Sequence, residues 1–112
     1  MEKAVQIALL LDIYGGLLTE KQIQYLDLYY NEDYSLTEIA RLHQITPQGV
    51  KDTIHRASTT LFHTEEKLGL LEKLQSISQT AGELDALLMA HKELIPIAFA
   101  EKLSSFFAQL QE

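Results

Sequence analysis

The chain has 112 residues, 46% of them hydrophobic, and sets nine Lys and Arg against sixteen Asp and Glu for a net charge of −7 at pH 7. That length fits one domain, or one small domain with a helical appendage, and the apolar share is ample for a core. The absence of cysteine excludes disulfides and thiolate metal sites, and the acidic balance excludes a broadly basic nucleic-acid binder. Both halves are acidic: residues 1–60 carry five basic and eight acidic side chains, residues 61–112 four and eight, so any positive patch must be local. No apolar run approaches the roughly 20 residues of a membrane span, and a soluble, cytoplasmic protein without membrane insertion is expected. Met1-Glu2-Lys3 leads into a stretch broken by Gln6 and Asp12, which lacks the pattern of an export signal, so residues 1–14 are expected to be structure.

Val/Ile/Thr alternation bounded by turn residues is nearly absent, while apolar residues at helical spacing run almost end to end, so the fold class is all-α. The first helix is predicted from about Glu2 to Tyr14, burying Val5, Leu9 and Ile13 and stopping at Gly15-Gly16, where left-handed backbone is cheap. The second starts after Thr19, three residues ahead of Gln22 in a capping-box arrangement, and turns Ile23, Leu26 and Tyr30 inward. Asn31-Glu32-Asp33 ends it. Ser35, three residues ahead of Glu38, makes a second capping box.

Residues 35–57 then read as two short amphipathic helices around a tight corner, the pattern of a helix-turn-helix. Ile39, Ala40 and Leu42 are assigned to the inner face of the first motif helix. Val50, Ile54, Ala57 and Leu61 recur at four, three and four residues along the second. Thr46 stands where an N-cap belongs and Pro47 follows at the first helical position, where a missing N–H costs nothing. The helical pattern continues past Ala57 to about Leu74. Ser76 to Gly82, the one small and polar stretch, reads as a hinge or loop. Two further segments follow, one with Leu84, Leu87, Leu88, His91 and Ile95 on a face, the other, after Pro96, with Phe99, Leu103, Phe106 and Leu110. The expected division is a helix-turn-helix domain over 1–60 and a long-helix extension with a helical tail over 61–112. The tail's apolar surface points to self-association as a homodimer that buries Phe99, Phe106 and Phe107.

The outward face of the second motif helix carries Gln48, Lys51, Asp52, His55 and Thr59, with Arg56 on its shoulder and Arg41 on the helix before it. Gln and Lys read base edges or phosphates, and the helix start offers amides to a phosphate oxygen, so Arg41, Gln48, Lys51, His55 and Arg56 are the candidate nucleic-acid-binding residues. With Asp52 among the cations, the same face reads equally as an ordinary solvated surface. The tyrosines at 14, 25, 29, 30 and 34 are read as packing rather than as platforms for unpaired bases. The four histidines, at 43, 55, 63 and 91, lack metal-ligand spacing, and no metal or other cofactor is expected. Adjacent carboxylates such as Glu65-Glu66 point to different sides of a helix, and Gly15-Gly16 lacks the strand and lysine of a phosphate loop, so the chain is not expected to be an enzyme.

From Leu18 to Leu61 the chain resembles region four of bacterial sigma factors: Leu18-Thr19-Glu20-Lys21-Gln22, Tyr25-Leu26, Leu28-Tyr29-Tyr30, Tyr34-Ser35-Leu36-Thr37-Glu38-Ile39-Ala40, Val50-Lys51 and Ile54-His55-Arg56-Ala57. A closer likeness begins upstream. Leu9 to Gln22, with its Tyr14-Gly15 and Leu18-Thr19-Glu20-Lys21-Gln22, followed by Tyr29-Tyr30-Asn31-Glu32-Asp33-Tyr34-Ser35-Leu36, resembles the YlxM-type family of small bacterial proteins over essentially the whole length. The family's recognition helix commonly opens Ser-Arg-Gln-Ala-Val; Thr46-Pro47-Gln48-Gly49-Val50 keeps the cap and the glutamine and loses the arginine. The resemblance implies a helix-turn-helix regulatory protein tied, mainly by genomic neighbourhood, to the signal recognition particle, which targets nascent proteins to the membrane. Expected partners are therefore that particle's protein, receptor or RNA. The alternative is duplex DNA, with the protein acting as a sequence-specific transcriptional regulator.

Overall fold

The computed structural model describes residues 1–111. Six helices follow one another: α1 (Lys3–Tyr14), α2 (Glu20–Tyr30), α3 (Leu36–His43), α4 (Pro47–Leu68), α5 (Leu70–Ala90) and α6 (Ile97–Leu110), with single 3-10 turns at Gly15–Leu17 and Lys92–Leu94. The described residues contain no strand, so the fold is all-α as expected. They divide into two compact units, Met1–Leu71 and a second built from Glu72 onward.

In the first unit α1, α2 and α3 all pack on α4. The core is Ile7, Leu10, Tyr14, Tyr25, Leu26, Ile39, Ala40, Val50, Ile54, Ala57 and Leu61, with Leu11, Ile13, Leu18, Leu28, Tyr30, Leu36, Phe62 and Leu71 closing its edges. Full burial of a Leu or Ile side chain is worth about 1.5–3 kcal/mol, so this cluster dominates the unit's stability. The α4 stripe falls where its spacing placed it.

The inward faces of α1 and α2 differ from the sequence expectation. Val5 is exposed and Leu9 and Ile13 are only half-buried, while Ile7, Leu10 and Tyr14 point inward. The run from Ala4 to Tyr14 is apolar on nearly every side, so periodicity alone cannot select a face. In α2 the buried pair is Tyr25 and Leu26, and Ile23 lies at the surface. Gly15-Gly16 does not use left-handed backbone: Gly15 has φ −55°, and the chain turns there through a 3-10 bend.

The long helix ends earlier than its periodicity suggests. Its terminator is Gly69, at φ +63°, whose N–H donates to the Glu65 carbonyl at 2.8 Å, a left-handed C-terminal cap that glycine adopts without strain. Helix α5 restarts at once. The Tyr14 hydroxyl donates to Glu65 Oε1 at 2.7 Å and accepts from the Leu70 N–H at 3.3 Å, while the Leu71 N–H donates to the same carboxylate oxygen at 3.0 Å. Two amides of the new helix, which lack intrahelical partners, are thereby satisfied by α1 and α4. Burial, followed by the hydrogen bond to Glu65, pushes the Tyr14 phenol above its usual range.

The expected hinge over residues 76–82 is instead the middle of α5. Of its small residues Ala81 is buried and Ser78 and Gly82 are half-buried, while Ser76 and Thr80 are exposed. In the second unit α5 and α6 form an antiparallel hairpin in which Ala81, Leu88 and Ala100 are buried and Ser104 Oγ donates to Asp85 Oδ1 at 3.3 Å. At Gly82 an added Cβ would meet Gln111 Nε2 at 2.8 Å, so the stretch read as a loop lies against the end of α6.

Ser58 is buried in α4 and its Oγ has no hydrogen-bond partner among the described residues. An unsatisfied buried hydroxyl is costly, and Ala is the better helix former. Ser58→Ala is therefore expected to stabilise the protein by about 1 kcal/mol, read as a higher urea midpoint at unchanged slope. The Tyr14 phenol, raised above its ordinary value of 10.0, contributes stability that is complete below that value and lost as pH rises through the higher folded one. Tyr14→Phe should remove this alkaline loss, seen by comparing urea midpoints of both proteins near neutrality and above about pH 10.

Candidate functional site

The two ends of the helix-turn-helix corner are fixed locally. Ser35 Oγ accepts from the Glu38 N–H and Glu38 Oε1 from the Ser35 N–H, both at 3.0 Å, so α3 opens with the expected capping box. The equivalent pair, Thr19 and Gln22, opens α2. The Ser35 backbone N–H, followed by the Ser35 side chain, holds the Glu38 carboxyl below the usual carboxylate range, with Arg41 adding a smaller pull in the same direction. Helix α3 closes at Gln44, in the left-handed region at φ 57°, and its N–H returns to the Ala40 and Arg41 carbonyls. Thr46 Oγ1 then accepts from the Gly49 N–H at 3.1 Å, and Pro47 is the first residue of α4, as the sequence required.

This corner sets the orientation of α4. Because Val50, Ile54, Ala57 and Leu61 face the core, Gln48, Lys51, Asp52, His55 and Thr59 are turned out, and all five are exposed. Arg56 is exposed one step round the helix, and Arg41 is exposed on α3. Gln48 Nε2 donates to Asp52 Oδ1 at 3.0 Å, so the glutamine expected to read a base edge is held along the helix by the acid one turn on. Among the described residues no ion pair neutralises Lys51 or Arg56.

The structure adds two residues to this surface. Leu42, assigned to the inner face by its hydrophobicity, is 60% exposed, and Ile45 in the turn is 39% exposed. The inward stripe of α3 is Leu36, Ile39, Ala40 and half-buried His43, at three, one and three residues, and Leu42 falls off it. That spacing was the available signal. His43 packs edge-on against Tyr25 with ring centroids 4.8 Å apart, which docks α3 on α2. Of the tyrosines, Tyr14 and Tyr25 are core residues and Tyr30 is half-buried, its ring 5.0 Å from that of Tyr29. Tyr29 and Tyr34 lie at the surface. Among the described residues no helix is long and apolar enough to cross a membrane.

Comparison with known proteins agrees with this geometry. The sequence model of the UPF0122 family, described as "Putative helix-turn-helix protein, YlxM / p13 like", matches residues 1–98. The chain belongs to this family. A UPF0122 protein of Clostridium kluyveri is 49% identical over 79 residues, covering 70% of this chain and 71% of that protein. One from Desulforamulus reducens is 48% identical over 88 residues, 79% of this chain and 75% of its own length. One from Clostridium perfringens is 43% identical over 94 residues, 84% of each chain. No solved structure matches the chain. The family is one of helix-turn-helix proteins, and its matched region takes in the whole of α1 to α5 and the first two residues of α6.

The local cap decides where the exposed face begins. Thr46→Ala should lower stability by about 1 kcal/mol through loss of the bond to the Gly49 amide, while Thr46→Ser should restore it, both read from urea unfolding.

Proposed function

We propose that the protein is a regulator in the signal recognition particle pathway, and that it meets a component of that machine through the outer face of α4 and the adjoining corner. The component is the particle's protein, its receptor or its RNA. One observation carries the reading: Arg41, Gln48, Lys51, His55 and Arg56 form an exposed polar surface bordered by exposed Leu42 and Ile45. Duplex DNA presents phosphates and polar base edges and gives an exposed leucine little beyond a thymine methyl. A protein or a ribonucleoprotein surface engages both halves of such a patch. The net charge of −7 suits a partner with basic regions, and the tie to the particle comes from the family resemblance. The reading places the protein in the cytoplasm.

A second reading, a sequence-specific DNA-binding transcriptional regulator, is supported by the likeness to sigma region four and by the way Pro47 starts α4 with Gln48, Lys51 and His55 on one outer side. In it Gln48, Lys51, His55 and Arg56 enter the major groove and Arg41 holds a phosphate.

A capture experiment with the tagged full chain, analysed for both bound protein and bound nucleic acid, separates the two. The first reading expects the particle or its receptor to co-purify and Leu42→Ala to weaken binding of the purified component by about tenfold; an empty capture removes its support. The second expects a salt-dependent shift of genomic DNA whose slope falls by about 2 in Lys51→Ala with Arg56→Ala, at unchanged helicity. Absence of any shift at low salt in the unaltered protein removes that one.

A further inference from the structure

The hairpin of α5 and α6 has two unlike sides. Its contact line is marked by Asp85 and Leu88 on α5 and by Ala100 and Ser104 on α6 and Gln111 at its end. Residues immediately after contact positions, Met89, Glu101 and Ser105, converge with Lys92 on one side, where they line a groove of about 360 Å³. In an antiparallel pair, side chains displaced in the same rotational sense from the contact line fall on the same side of the hairpin. The residues immediately before contact positions therefore share the opposite side. They are Leu84 and Leu87 on α5 and Phe99, Leu103 and Leu110 on α6, with Phe106 in line with Phe99, Leu103 and Leu110 at helical spacing.

This second side is apolar and unpartnered. Leu84, Leu87, Phe99 and Phe106 are 44, 58, 66 and 52% exposed. With side chains of this size presenting roughly 150–250 Å² each, they leave on the order of 400 Å² of apolar surface in water. That reaches the size at which exposed patches mark interaction sites. It is also close to the apolar share, about 60%, of the roughly 800 Å² that each partner contributes to a standard interface.

We propose that this face is the homodimer interface, with two hairpins meeting across a two-fold axis to make a four-helix bundle. Charge selects the occupant. The residues that form the face are apolar, and the charges at its edge, Glu83 one turn before Leu87 and Lys102 between Phe99 and Phe106, are of opposite sign, so two copies of a chain with net charge −7 meet there without a concentration of like charge. A basic partner would find Glu83 at the edge and no cluster of carboxylates. A lipid surface would require a cluster of flanking cations, and the edge of this face between Phe99 and Phe106 offers Lys102 without one. The isologous arrangement places the Phe99 and Phe106 stripe of each copy against the apolar stripes of the other, the packing by which four-helix bundles bury one face of every helix. The interface is independent of which macromolecule α4 meets, and most of α6 lies beyond the region that defines the family.

Sedimentation equilibrium of the full chain tests the proposal. The unaltered protein is expected to weigh twice its 12.7 kDa at concentrations of about 10–100 µM, with a dissociation constant on the order of micromolar. Leu87→Glu with Phe106→Glu should weaken association by at least about 100-fold, whereas Met89→Glu on the groove side should leave the dimer intact. Circular dichroism checks folding, and should the double glutamate variant lose helicity, Leu87→Ala with Phe106→Ala must still weaken association by about tenfold or more. A monomer throughout that range overturns the proposal and leaves the face to a different partner. A dimer that survives both apolar-face variants, or that only Met89→Glu disrupts, overturns it equally.

Discussion

One helix face governs the first unit. Val50, Ile54, Ala57 and Leu61 are the surface on which α1, α2 and α3 converge, and each of them is shut away from water. A helix turns 100° per residue, so burying that stripe obliges Gln48, Lys51, Asp52, His55 and Thr59 to face outward. The candidate interaction surface is thus the geometric complement of the core. The corner at Gln44 and Thr46 has only to start α4 in register, and the left-handed cap and the threonine bond do so with local contacts.

The end of that helix follows from a different constraint. A glycine in left-handed backbone stops α4 at Gly69, which exposes two consecutive helix termini within a few residues. Unpaired amides beside a core are expensive. Tyr14 from α1 and Glu65 from α4 answer the Leu70 and Leu71 amides, so one hydroxyl and one carboxylate oxygen secure the break within the first unit. A tyrosine that composition marks only as packing material therefore also acts as a helix cap.

Charge and hydrophobicity are distributed unequally over the two units. The outer face of α4 is polar, with both signs of charge and a leucine at its border, whereas one side of the α5–α6 hairpin is dominated by large apolar side chains, with charge only at its edge. Surfaces of the first kind discriminate among partners, because each charge must find a complement. Surfaces of the second kind associate through area. A chain carrying both is organised as a recognition surface in one unit and an assembly surface in the other.

How much of this was legible in the sequence follows from the range of each interaction. The starts of α2, α3 and α4 were readable, because Thr19 with Gln22, Ser35 with Glu38, and Thr46 with Pro47 act within three residues. So was the stripe of α4, because its polar residues break the apolar pattern on one side only. By itself the sequence determined an all-helical chain with a helix-turn-helix whose second helix presents Gln48, Lys51, His55 and Arg56. The tertiary structure decided the inward side of the uniformly apolar α1, the exposure of Leu42, and the helical state of residues 76–82, where Ala81 is buried and the Gln111 side chain lies against Gly82. It also decided that two separate apolar stripes share one side of a hairpin. These depend on which neighbour arrives from far along the chain, and local spacing contains no record of that neighbour.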